Sequence, residues 1–129
     1  MRTILLSSLL LNAAVAHANE ALYTAQYSIC LDQSEGVTYA MLDCISEELN
    51  TQDARLNGAY QKLKASLSAE RKQSLLAAQR LWIQYRDANC DFYYDPEGGT
   101  LHRVMANECM LQETAERAKE LETLSNGFR

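Results

Sequence analysis

The chain has 129 residues and a formal net charge of −5, with 17 acidic residues against 12 Lys and Arg. Because proteins bind nucleic-acid phosphates through clustered Lys and Arg, this balance argues against a nucleic-acid-binding protein and favours a cationic partner. The length is sufficient for one small domain.

The first 18 residues have the pattern of a secretory signal peptide. Arg2 gives a positive start, residues 4–15 are mostly apolar, and Ala16-His17-Ala18 has the small-x-small form of a cleavage site. About 12 apolar residues are too few to cross a hydrocarbon layer ~30 Å thick. We therefore expect cleavage after Ala18, export to the periplasm, and no contact with the membrane after cleavage.

All four cysteines follow the predicted signal peptide, at Cys30, Cys44, Cys90 and Cys109. An even number of cysteines in an exported chain predicts two disulfides. No Cys-x-x-Cys occurs, and the only histidine after the cleavage site is His102. Since a zinc site needs closely spaced Cys and His ligands, we expect neither a metal nor another cofactor.

The mature chain begins with a polar segment. Residues 19–36 hold only isolated aromatic side chains, and we expect them to form an irregular leader. From Thr38 onwards apolar residues recur every three or four positions, which predicts one face of a long helix. Ser68 is a good N-cap residue and predicts a break followed by a second helix.

The second helix is expected to end at Asp95-Pro96-Glu97-Gly98-Gly99, which holds the only Pro and the only adjacent Gly pair. A third helix is predicted from Thr100 to about Asn126-Gly127. The predicted fold is all-α: three antiparallel helices in a small disulfide-stapled bundle over residues 37–126.

A hairpin of the first two helices brings most acidic side chains to one end of the molecule. In that hairpin residue 44 lies about level with residue 91, so the register alone permits a Cys44–Cys90 disulfide. The acidic residues expected at this end are Asp32, Glu35, Asp43, Glu47, Glu48, Asp87, Asp91, Asp95, Glu97 and Glu108.

Four sequence motifs together resemble those of the LprI-like lysozyme-inhibitor family of bacterial exported proteins, over residues 30–124. The resemblance implies a small helical bundle, as the periodicity also predicts, and it implies inhibition of lysozyme. The motifs are Asp53-x-x-Leu56-Asn57-x-Ala59-Tyr60, then Ala78-Gln79-Arg80-x-Trp82-x-x-Tyr85-Arg86-Asp87-x-x-Cys90, then Gly98-Gly99-Thr100 with Cys109, and Thr114-x-x-Arg117-x-x-x-Leu121.

The resemblance also bears on the disulfides. Members of the family often have only the cysteines that match Cys30 and Cys44, which implies that these two pair with each other. Cys90 would then pair with Cys109 and close the loop between the second and third helices. Each disulfide would stabilise so small a domain by about 2–4 kcal/mol.

Several charged residues of these motifs suggest catalysis, but we interpret them as structural, because an unpaired buried charge costs several kcal/mol. We expect Asp53 to pair with Arg80. We also expect Arg86 or Arg117 to pair with a carboxylate, and Trp82 to lie in the core. The residues given a structural role are Asp53, Asn57, Tyr60, Arg80, Trp82, Arg86, Asp87, Thr114 and Arg117.

The sequence does not favour an enzyme. A serine nucleophile needs a base, and the mature chain offers only His102. The cysteines are expected to be oxidised, and three packed helices offer no cleft for a pair of catalytic carboxylates.

The loop from Asp91 to Thr100 is the candidate for partner binding. It combines aromatic residues of the kind enriched in interfaces with negative charge and with glycines that let the backbone approach a partner closely. In the alternative interpretation the glycine pair is only a turn, and Phe92 or Tyr93 closes the core. The candidate partner-binding residues are Tyr93, Tyr94, Asp95, Glu97, Gly98 and Gly99.

The resulting hypothesis is a periplasmic inhibitor that binds a cationic lysozyme or another muramidase and occludes its cleft with this acidic loop end. Two alternatives stay open. One is a periplasmic adaptor that binds another envelope protein, and the other is an immunity protein against a toxin that degrades the envelope.

Overall fold

The computed structural model describes residues 21–127, which form four helices. These are α1 (Ala25–Ser34), α2 (Thr38–Ala65), α3 (Ala69–Phe92) and α4 (Thr100–Gly127), and the described residues contain no strand. The predicted all-α class is therefore confirmed, whereas the predicted count of three helices is wrong. The predicted signal peptide lies outside the described residues.

The additional helix is α1, which replaces most of the irregular leader expected at residues 19–36. The Thr24 hydroxyl accepts a hydrogen bond from the Tyr27 amide at 3.3 Å and caps the start of the helix. The helix ends at Glu35 and Gly36, which have φ values of 50° and 76°. Only Tyr27 and Ser34 of this helix are buried, so α1 lacks the apolar stripe by which a helix is recognised in sequence.

The main core lies between α2 and α4, which run side by side in the same direction. Near the start of both helices, Ile45 packs with Val104 and Leu111, and towards their ends Leu63 packs with Leu121. The predicted stripe of α2 is confirmed, as these apolar side chains are buried. Because residues 66–99 separate α2 from α4 in sequence, this pairing is a long-range tertiary contact.

The return helix α3 packs mainly against α4, and its backbone approaches α2 at few points. Its start is the predicted one, since the Ser68 hydroxyl accepts a hydrogen bond from the Arg71 amide at 3.3 Å. The side chains of α3 divide between two faces. Gln79 is buried towards the core, whereas Ala78 and Tyr85 point to solvent.

Two disulfides join the helices: Cys30–Cys44 links α1 to α2, and Cys90–Cys109 links α3 to α4. This is the pairing that the family resemblance implies, and the Cys44–Cys90 pairing that the hairpin register permits does not occur. None of the described helices combines the length and apolar character that crossing a membrane requires.

Glu48 is a buried carboxylate that fixes the start of α1 to α2. It is only 4% exposed, and it accepts hydrogen bonds from the Thr24 amide at 2.8 Å and the Thr24 hydroxyl at 2.6 Å. The Gln52 amide donates a third bond, at 2.8 Å. The expectation that Glu48 forms part of an exposed acidic end is therefore wrong, because α1 covers it.

Arg55 and Glu122 connect α2 to α4 near the other end of the molecule. The guanidinium donates two hydrogen bonds to the carboxylate, at 2.7 Å and 2.6 Å. This hydrogen bonding from Arg55 lowers the pKa of Glu122, and burial opposes the shift.

We predict that Glu48→Ala lowers the free energy of unfolding by about 1–3 kcal/mol, because it leaves the Thr24 and Gln52 donors without their buried acceptor. The exposed neighbour Glu47 provides the matched control, and Glu47→Ala should change stability by less than ~0.5 kcal/mol. Urea unfolding of the oxidised protein measures both. Equal effects of the two substitutions would contradict the role given to Glu48.

A second prediction concerns pH. Because the pKa of Glu122 is lowered in the folded state, its contribution to stability is present above the ordinary value of 4.5 and is lost as the pH falls through the lowered pKa. Glu122→Gln should therefore lower the urea midpoint at neutral pH. The difference from the wild type should shrink when both are measured below pH 4.5. A difference that stays constant with pH would rule out this ionic contribution.

Candidate functional site

The loop between α3 and α4 is fully exposed but locally ordered. All residues from Asp91 to Thr100 are exposed. The Tyr94 amide donates to the Asp91 carbonyl at 3.0 Å, and the Gly98 amide donates to the Asp95 carbonyl at 3.1 Å. The Asp95 carboxylate also accepts from the Glu97 amide at 2.9 Å. The backbone of the loop is thus held by its own hydrogen bonds.

Phe92 extends the aromatic surface of the loop. Its side chain is 84% exposed and contacts Tyr93 edge to face, with ring centroids 6.0 Å apart. Both side chains are exposed, so the alternative in which one of them closes the core is wrong. Phe92 was missing from the predicted partner-binding residues. The sequence does contain a signal for the exposure of Phe92: it lies next to Tyr93 and two residues after Cys90, which faces inward.

The two glycines meet different requirements of the turn. Gly99 has φ of +82°, a conformation that favours glycine. Gly98 lies against the His102 ring, and a Cβ atom at this position would collide with it. Gly99 therefore suits the backbone of this turn, and a side chain at position 98 would have to displace the His102 ring.

Open grooves lie where the loop meets the α3–α4 pair, and the disulfide contributes a cysteine to each. Tyr94 lines one of about 620 Å³ together with Arg86, Arg103 and Met110. Tyr93 lines another of about 300 Å³ together with Asn89, Met105 and Glu108. The two tyrosines thus border different grooves. The Cys90–Cys109 disulfide, which holds α3 to α4, lies between these grooves.

The exposed charges of the loop are mainly negative. Asp91, Asp95 and Glu97 are all exposed, and Arg103 faces the same groove as Tyr94. Within residues 21–127, no three or more His, Cys, Asp or Glu side chains are arranged to hold a metal ion. The arrangement offers aromatic and carboxylate contacts on a braced turn.

Five of the nine residues predicted to be structural meet where α3 packs on α4. Trp82 is half-buried, with the Arg86 guanidinium 5.0 Å and the Arg117 guanidinium 5.8 Å from its ring centroid. Arg86 donates to the hydroxyl of the buried Thr114 at 3.4 Å and pairs with Asp87 at 2.9 Å. Their structural role stays a prediction, which these contacts support.

Arg117 connects α4 to α3 at the same place. It donates to the Gln79 side chain at 3.1 Å and pairs with Glu120 at 2.6 Å. Both Arg86 and Arg117 therefore meet a carboxylate, but in each case it lies on the same helix and is exposed.

The expected pair of Asp53 and Arg80 does not form. Both side chains are exposed, so neither needs a buried counter-charge, and Asp53 accepts a weak bond from Asn57 at 3.5 Å. Tyr60 is half-buried against the cluster formed by Leu56 and Leu121.

Comparison with known protein families gives one match over most of the described helices. The model of the family described as Lysozyme inhibitor LprI matches residues 30–121, which is most of the chain. The chain belongs to the LprI lysozyme-inhibitor family. The match covers α2, α3 and the loop completely, and it begins at Cys30 within α1. The LprI family is one of inhibitors and not of enzymes, and together with the two disulfides it indicates an exported protein.

A relative in Rhizobium meliloti (strain 1021), described as an uncharacterized protein, is 28% identical over 95 residues. The similar segment covers 63% of this chain and 68% of the relative. No solved structure gives a significant match to this LprI-family chain.

The glycine at the turn can be tested by substitution. Gly98→Ala should lower the free energy of unfolding by about 1 kcal/mol, because the new methyl group collides with the His102 ring. Gly58, a helical glycine with open space around it, is the control: Gly58→Ala should raise stability by about 0.5–1 kcal/mol. Thermal unfolding measures both. Equal stabilisation by the two substitutions would show that the contact with His102 is unimportant.

Proposed function

We propose that this protein inhibits a lysozyme or another muramidase in the periplasm by placing its α3–α4 loop in the cleft of the enzyme. The observation that carries the proposal is the exposed aromatic and acidic loop, braced at its base by the Cys90–Cys109 disulfide. Membership of the lysozyme-inhibitor family supports inhibition in general. The mechanism is steric occlusion and needs no chemical step.

Rigidity of the loop favours such binding. Each side chain and loop that becomes ordered on binding loses conformational entropy, and this loss weakens the affinity for the partner. Here the turn bonds at Asp95 and the disulfide already fix the backbone, so less ordering is required. Tyr94 and Phe92 are already exposed in the free protein. They can therefore contact a partner without any rearrangement of the core.

Electrostatics favour a cationic partner. The loop carries Asp91, Asp95 and Glu97, which are all exposed. Lysozymes are cationic enzymes with an open cleft, so this surface would steer the two proteins together. Exposed charges are screened within about 8–10 Å at ordinary ionic strength, and association should therefore slow as salt is added.

The periplasm is the compartment that fits the remaining features. The pattern of residues 1–18 predicts a cleavable signal peptide, and the disulfides form in oxidising compartments. A muramidase that attacks peptidoglycan would reach its substrate in the same compartment.

The decisive variant replaces Tyr94→Ala, Asp95→Ala and Glu97→Ala together. We expect it to abolish inhibition, because it removes an aromatic anchor and two carboxylates from the loop, while the unfolding midpoint stays near the wild-type value. The assay measures the loss of turbidity of a bacterial cell-wall suspension by a c-type lysozyme, with and without the oxidised protein.

The matched control is Tyr39→Ala, Asp43→Ala and Glu47→Ala on the exposed face of α2. It removes the same three residue types and the same charge, from exposed positions at the start of α2. Inhibition should survive in this control. If the loop variant inhibits with the wild-type constant, or if the control loses as much inhibition, the loop mechanism is wrong. If the wild-type protein protects no muramidase at all, an adaptor or immunity function replaces it.

A further inference from the structure

Arg103 is an exposed cation among the acidic side chains that flank the loop. It lies in the first turn of α4, and residues 88–107 contain no other Lys or Arg. Its side chain lines the groove of about 620 Å³ together with Tyr94, an aromatic residue of the proposed binding surface. Because the side chains of a helix lean towards its N-terminus, Arg103 extends in the direction of the loop.

The guanidinium of Arg103 is unpaired within residues 21–127, where it forms neither an ion pair nor a hydrogen bond. The Asn107 side chain donates to the backbone carbonyl of Arg103 at 2.8 Å, a bond that does not involve the guanidinium. The other arginine of the groove, Arg86, instead pairs with Asp87 and donates to Thr114. Arg103 therefore has its donors available for a partner, whereas Arg86 uses its donors within the fold.

The catalytic centre of a muramidase is acidic, although the surface of the enzyme is cationic. Glycoside hydrolases act through a pair of carboxyl groups that flank the scissile bond. In the cleft, Asp95 and Glu97 would oppose these groups with like charge, which lowers affinity unless a cation offsets it. A guanidinium has a planar fork of donors that matches a carboxylate.

We propose that Arg103 binds a catalytic carboxylate of the muramidase when Tyr94 enters the cleft. This inference rests on the proposed function of the loop, and it names the group that the loop end recognises. The acidic loop responds to the overall charge of the enzyme, whereas Arg103 responds to the catalytic centre. Because many exported proteins are cationic but few have a pair of carboxyl groups in an open cleft, Arg103 gives the inhibitor its specificity for muramidases.

A double-mutant cycle between the two proteins tests this contact. Titration calorimetry measures the Kd of the oxidised protein for a c-type lysozyme and for two lysozyme variants, each with one catalytic carboxylate replaced by the corresponding amide. Arg103→Ala should raise the Kd for the unmodified enzyme about tenfold or more. For the variant that lacks the contacted carboxylate, Arg103→Ala should raise the Kd less than about twofold, because no charge is left to pair.

Arg80 provides the matched control. It is an exposed arginine of α3, ~18 Å before the end of that helix, and Arg80→Ala removes the same charge as Arg103→Ala. Arg80→Ala should leave the Kd for every enzyme near the wild-type value. Arg103→Lys keeps the charge but loses the planar fork, so it should recover only part of the lost affinity.

The possible outcomes separate this contact from the function of the loop. If Arg103→Ala binds as tightly as the wild type, or weakens binding to all three enzymes by the same factor, the contact with a catalytic carboxylate is wrong and inhibition by the loop still stands. Equal weakening by Arg80→Ala would likewise overturn the contact. A wild-type protein that binds no muramidase would overturn the proposed function, and the contact with it.

Discussion

Close packing of α4 against α2 is the constraint on which the other elements depend. Ala115 and Ala118 at the centre of α4 are completely buried, and Ala59 of α2 packs in the same cluster as Ala118. Such small side chains let two helices approach closely, so larger residues such as Ile45 and Leu121 can close the core above and below them. The two helices run in the same direction and are not adjacent in sequence. The chain must therefore return along α3 before α4 can pack.

Both disulfides strengthen the end of the molecule where this return ends. Cys30–Cys44 holds α1 across the start of α2, and Cys90–Cys109 holds the end of α3 to α4. The two closures span 14 and 19 residues, so each removes conformational freedom from the unfolded chain without constraining the far end of the bundle. There the Arg55–Glu122 ion pair provides the connection between α2 and α4. A rigid end of this kind suits the proposed insertion of the loop into the cleft of a lysozyme.

The division of α3 into two faces follows from the way this helix packs on α4. Its inner face binds α4 through Trp82, Arg86 and Gln79, with hydrogen bonds from Arg86 to Thr114 and from Arg117 to Gln79 and a cation–π contact of Arg117 with Trp82. The apolar residues Leu81 and Tyr85 consequently remain on the exposed side of the helix. The candidate loop follows directly from the end of α3.

The sequence by itself determined the helical class, the bounds of α2 to α4 to within a few residues, and the family, because apolar periodicity, the Ser68 cap and the Pro-Gly-Gly turn are local signals. It also located the candidate loop, and the family resemblance supplied the disulfide pairing. Only the tertiary structure decided that residues 25–34 are helical, since α1 is held by Cys44 and by the buried Glu48 and lacks an apolar stripe of its own. Only the tertiary structure placed Tyr85 on the exposed side of α3 and Arg86 on the side towards α4, and it showed that Arg80 and Asp53 do not pair. The face of a helix that meets its neighbour depends on contacts between segments distant in sequence.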